Sequence, residues 1–215
     1  MTASDLADAG GLGEAERIAV LYAPKRVRPR FHLLFLLDAR LARIAITGRE
    51  PALAQLKLAW WRDACTERAA PGGDPLVQRL AAVWQDRTES LLGLIDAWEE
   101  LAVREGALLP AAERLAEARA GAFVQAAYVA MNEDCRRAAR RWTFATLAAH
   151  APRQGERAAL LQAGQAIGPV TLPRALRPLA VLDGLARRAL RGEGGALLGD
   201  RLSPLAALRL GIFGR

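Results

Sequence analysis

The chain has 215 residues but only two cysteines, Cys65 and Cys135, and two histidines, His32 and His150. Cysteines so far apart, with no CxxC, build neither a disulfide framework nor a cysteine zinc site. They fit a reducing, cytoplasmic compartment. Two histidines exclude a multi-histidine metal centre. Lysine is almost missing: Lys25 and Lys57 stand against 28 arginines. No run reaches the roughly 18 apolar residues that a membrane span needs. The densest stretch, Phe31 to Leu37, is interrupted by His32 and stops at Asp38. The opening MTASDLADAGGLGE has no basic n-region and no apolar h-region, so it does not read as a secretory signal. Residues 1–13 are expected to form a flexible arm. P-loop, strand-borne GxGxxG and GxSxG signatures are all absent. So are DDxxD and DxxxD, the usual means by which a helical bundle holds magnesium against a diphosphate.

What the chain has in quantity is alanine, 46 residues of it, with leucine and arginine next. Hydrophobic residues make up 52% and charged residues 25%, a globular balance. The net charge is +7 and the pI about 10.5. Ala, Leu and Arg favour helix, β-branched residues are sparse, and strand-type alternation is hard to find. Proline, glycine and one good N-cap, Asn132, cut the chain into helices. They are expected near 14–22, 29–47, 51–70, 75–87, 89–104, 110–131 and 133–150. Two more follow between Arg153 and Arg191, broken by GPVTLP. Gly192 to Gly199 reads as a loop, and Pro204 to Leu210 as a last short helix. No repeat or linker divides residues 14–215, and short connections suit one antiparallel helical bundle.

Projection at about 100° per residue places the unusual side chains. Asp38 falls in the middle of the wide apolar arc of its helix. It therefore needs a partner: Arg28, Lys57, Arg62, a backbone N–H or a tryptophan N–H. In EPALAQLKLAWWRDA, Leu53, Leu56, Trp60 and Ala64 share the expected core face, with Asp63 at its edge and Trp61 widening the arc. Asp96 and Glu99 share one flank of LIDAWEEL, a spacing that suits oxygen ligation of a metal and equally a solvated flank. Arg136, Arg137, Arg140 and Arg141 form a band opposite the apolar face of their helix. Such a band suits an anionic surface, either lipid at a peripheral membrane contact or nucleic acid. Nucleic acid is the weaker of these, because the five tryptophans sit at positions that look packed rather than free to stack on bases.

YAPKRVRPRFHLLFLLDARLARI, EPALAQLKLAWWRDA and LIDAWEEL follow one another in the order and spacing of the N-terminal half of the squalene/phytoene synthase family, which this stretch resembles. The likeness covers about Leu21 to Leu101. EP…WWRDA is its most specific element, and LPRALRPLA, Leu172 to Ala180, is a late echo. The resemblance implies the all-α isoprenoid synthase bundle around a central cavity, here shortened. It also implies head-to-head condensation of prenyl diphosphates through two aspartate-rich magnesium motifs. Neither motif is in the chain. The first would fall at Ala42, Arg43 and Ile46, yet no acid occurs between Asp38 and Glu50. The second would fall near Ala158 to Ile167, yet Glu156 is the single acid from Cys135 to Leu182.

Without those ligands a leaving diphosphate is not neutralised. Family branches that have lost the motifs serve without that chemistry, and one assists assembly of respiratory complex I. The expectation is therefore a synthase-like protein without metal-dependent transfer and without a cofactor, binding a prenyl or other lipid, or a protein partner. The alternative keeps catalysis by gathering Asp38, Asp63, Asp96 and Glu99 around magnesium. A basic nucleic-acid-binding module is the third reading.

Overall fold

The computed structural model describes residues 11–48, 50–67 and 74–192. Among these it is all-helical: 79% of residues are in helix and none in strand. Nine α-helices follow one another: α1 (Glu14–Leu21), α2 (Arg28–Thr47), α3 (Pro51–Glu67), α4 (Pro75–Trp84), α5 (Glu89–Ala102), α6 (Leu108–Ala127), α7 (Glu133–Ala148), α8 (Gln154–Gln165) and α9 (Arg177–Arg191). Single 3-10 turns, Gln85–Arg87 and Arg174–Leu176, lead into α5 and α9. The expected loop after Gly192, the short helix at Pro204 to Leu210 and residues 1–10 of the arm lie outside the described residues. Within the described part of the arm, Leu12 is buried in the core.

Local chemistry explains most boundaries. The Asn132 side chain accepts a hydrogen bond from the Cys135 N–H at 2.8 Å and opens α7; Asp74 does the same for Leu76 at the start of α4. Asp74 also holds Arg40 at 3.0 Å, tying that cap to α2. Gly48 ends α2, where a Cβ would come within 2.6 Å of the Ile44 carbonyl oxygen. Tyr128 ends α6 in the left-handed region at φ 56°, earlier than the expected stop near Met131. At the other end α6 starts before Pro110, which fits its first turn because N–H groups there have no helical partner.

One contiguous core draws on all nine helices. The centre is α2 with α5, α6 and α7: Phe31, Phe35, Phe123 and Trp142 form an aromatic cluster with ring centroids 5.6–6.3 Å apart. α7 packs on α6, α8 and α9, while α2 packs on α3, α4, α5 and α6. α1 lies against α9, so the first and last described helices meet.

Two expected facings are corrected. In α3 the buried residues are Ala54, Leu58, Trp61, Ala64 and Cys65. Leu53 and Leu56 are exposed and Trp60 is half-buried, so the helix is turned by roughly one residue step. Small residues carry much of its core face, and larger ones point outward. In α7, Arg141 does not belong to the exposed band; it is buried, 2% exposed, between α7 and α9.

Candidate functional site

A cleft of about 370 Å³ opens where α1, α2, α5, α6 and α7 converge. Phe35, Ala39, Ala42, Ile46 and Leu147 give it apolar walls. The floor is buried and polar, built from Asp38, Trp98, Arg119 and Trp142. Glu16, Arg43, Thr47 and His150 stand at the mouth.

Asp38 is as buried as its place in the apolar arc requires, 6% exposed. Its main partner is Arg119 of α6, which was not among the expected candidates. The guanidinium meets the carboxylate through two parallel bonds, Nη2 to Oδ2 at 2.8 Å and Nε to Oδ1 at 3.2 Å. Trp98 Nε1 donates to Oδ1 at 2.8 Å, the tryptophan N–H that the sequence allowed. Arg119 Nη1 donates to the hydroxyls of Thr143 at 3.1 Å and Thr146 at 3.3 Å. The flat cation lies 4.1 Å from the Trp142 ring centre and 5.2 Å from that of Trp98. Buried charges persist when they are paired and their remaining donors are satisfied, and this pair meets both conditions.

The three basic side chains expected as partners lie elsewhere. Arg28 donates to the carbonyls of Leu21 and Ala23. Lys57 is exposed on α3. Arg62 bridges to Asp96 and, at 2.6 Å, to Glu99, so these two carboxylates form a surface triad with a cation rather than an open metal site. Asp63 is exposed. Trp61 is buried at the edge of Trp60, with ring centroids 5.1 Å apart, and does not line the cleft. Among the described residues no group of three or more His, Cys, Asp or Glu side chains is placed to hold a metal ion. Asp38, Asp63, Asp96 and Glu99 therefore do not converge.

The band on α7 is also largely neutralised. Arg136 pairs with Glu117 at 2.9 Å, and Arg137 lies 3.5 Å from Glu133. Arg140 is half-buried, and Arg141 is inside, bonded to Asp183.

The cleft's titratable groups are few. Burial pushes the Glu16 carboxyl up, with the nearby Asp38 charge adding to the effect. His150 Nδ1 lies 2.9 Å from the Thr146 carbonyl oxygen. A carbonyl only accepts, so Nδ1 is the donor in this contact. Both cysteines are buried, and burial pushes the Cys65 thiol up to about 11 and the Cys135 thiol up to about 12, which disfavours the thiolate. The arrangement suits binding of an apolar body beside a rigid polar floor.

Arg119 carried a signal in the sequence. It stands four residues from both Leu115 and Phe123, on the buried face of α6, and a cation there requires an anion. Arg141 is the same case, three residues after Ala138 and four before Ala145. No family model, curated protein or solved structure matches the chain.

Proposed function

We propose that the chain is a squalene/phytoene synthase-like helical protein that binds a prenyl or other lipid ligand in its cleft and does not carry out metal-dependent prenyl transfer. In this reading the helices form a shortened antiparallel bundle of the isoprenoid synthase type. The observation that carries the proposal is the place of Ala42, Arg43 and Ile46. The resemblance puts the first acidic motif at these positions, and all three line the cleft. An apolar wall with one arginine stands where metal-binding acids would face a diphosphate. Such a wall favours a hydrocarbon chain and gives magnesium no ligand. The Asp38–Arg119 pair acts as a fixed floor, its groups bonded to one another and to Trp98, Thr143 and Thr146.

The test uses the purified full chain with geranylgeraniol and geranylgeranyl diphosphate, with and without magnesium. Binding is read from tryptophan fluorescence, since Trp98 and Trp142 line the cleft. The expected result is saturable binding that ignores magnesium, with no diphosphate released, and loss of binding in Ala42→Trp, which fills the cleft. Magnesium-dependent diphosphate release would overturn the reading, as would Ala42→Trp binding at wild-type strength.

A further inference from the structure

A second pocket, of about 170 Å³, lies away from the cleft, between the end of α8, residues 166–169 and the last turns of α9. Three arginines line it: Arg141 from α7, and Arg187 and Arg191 from α9. Arg141 is committed. It bonds to Asp183, to the Ile167 carbonyl at 2.7 Å and to the Gly168 carbonyl. It thereby neutralises a carboxylate beside the pocket, Asp183, and two carbonyls that follow the negative end of α8.

Arg187 and Arg191 are different. They are four residues apart, so they share one face of α9, and both are exposed. Neither makes an ion pair or hydrogen bond among the described residues; the Arg187 charge reaches Asp183 only at longer range. Two like charges four residues apart on one face repel, and an anion between them relieves that repulsion. Below them α9 packs closely on α8, because Gly164 lets Leu190 approach where a Cβ would come within 2.8 Å of its Cδ1. At Gly168 the space beyond the backbone is open.

We propose that this pocket binds a phosphoryl group, held between the Arg187 and Arg191 guanidiniums and carried either on a small molecule or as a lipid headgroup. A phosphoryl dianion matches two guanidiniums that make no ion pair among the described residues. Its oxygens accept from two guanidinium forks at once, which a single carboxylate does less well. This site is independent of the cleft and of the ligand proposed there.

The test measures thermal stability and calorimetric binding of the full chain with inorganic phosphate and pyrophosphate at constant ionic strength. Flotation with phosphatidylcholine vesicles, with and without phosphatidic acid, is run in parallel. Arg187→Gln/Arg191→Gln is compared with Arg136→Gln/Arg137→Gln, which loses the same charge from the α7 band. Phosphate or pyrophosphate raising Tm, with affinity at least about tenfold weaker in the first variant and kept in the second, assigns the site to a small-molecule phosphoryl group. Flotation that needs phosphatidic acid and is lost in the first variant alone, with no response to the free ions, assigns it to a lipid headgroup. Equal losses in both variants would mean diffuse electrostatics and overturn the proposal. Wild-type binding by the first variant, or no response to either class of probe, would overturn it too.

Discussion

Among the described residues two arginine–aspartate pairs are buried between helices, and they are finished differently. Under the cleft, Asp38 accepts from Arg119 Nε and Nη2 and from the Trp98 N–H, and Arg119 gives Nη1 to two threonine hydroxyls, its guanidinium lying against two indole rings. Between α7 and α9, Arg141 reaches Asp183 through Nη1 alone and gives Nη2 to the carbonyls of Ile167 and Gly168. Burial is similar; each aspartate is 6% exposed. The first arginine serves its carboxylate, whereas the second is shared between a carboxylate and a helix end. A buried pair is held by the number and direction of its hydrogen bonds as much as by its charge.

The largest effect expected from this contrast is at Arg119. Arg119→Met removes two bonds to Asp38 and leaves the carboxylate buried against apolar walls. A loss of about 3–5 kcal/mol is expected in denaturant melts. A loss below 1 kcal/mol would show that Trp98 and water suffice, and the contrast with Arg141 would collapse.

The sequence made the helices legible because their punctuation is local. Asn132, Pro51, Pro75 and Gly48 act through their own backbone and neighbours, and each marks an observed boundary. Facing is decided by contacts distant in sequence, and there alanine richness blurred the signal. In α3, Ala54, Ala64 and Cys65 pack inward while Leu53 and Leu56 face out, so hydrophobicity alone pointed to the wrong arc. Asp38 was legible because one charge interrupted an otherwise apolar arc. Its partner is not local: Arg119 lies 81 residues away. The cleft itself depends on how five helices meet, which no single helix encodes.

Asp183 supplies the next test. Its carboxyl is pushed up to about 6 from 3.8 by burial, and Arg141 opposes this only in part. The native state therefore keeps a proton that the unfolded chain has released. That contribution is complete below pH 3.8 and is lost as the pH rises through about 6. Its size is at most about 3 kcal/mol. Asp183→Asn has no such proton. The stability of the wild type relative to this variant should fall between about pH 4 and pH 7. Parallel pH profiles would show that Arg141 offsets the burial of Asp183 in full.

A smaller effect separates charge from hydrogen bonding within the first pair. Trp98→Phe keeps the ring beneath Arg119 and deletes the donor to Asp38. Both Arg119 bonds to the carboxylate remain, so the loss should be near the low end for a bond to a charged acceptor, about 1.5 kcal/mol. Loss of 4 kcal/mol or more would mean that the indole N–H, and not Arg119, is the principal support of Asp38.

The smallest effect is expected at Arg62, where the same chemistry lies at the surface. Arg62 bonds to both Asp96 and Glu99, a denser contact than Arg141 makes with Asp183. Yet its side chain is 38% exposed and that of Asp96 is 56% exposed. Water competes for every one of these bonds, and salt screens the charges. Arg62→Gln should therefore cost less than about 1 kcal/mol, and less still in 1 M salt, where screening acts over roughly 3 Å. Asp96 and Glu99 freed of their cation also test the metal alternative directly. If magnesium raises the Tm of Arg62→Gln and not of the wild type, the two carboxylates can ligate once unmasked; if it raises neither, the triad is a surface ion pair and nothing more. A loss of several kcal/mol from Arg62→Gln would mean that exposure does not rank these arginines, and the order from Arg119 down would have to be rebuilt on contact geometry alone.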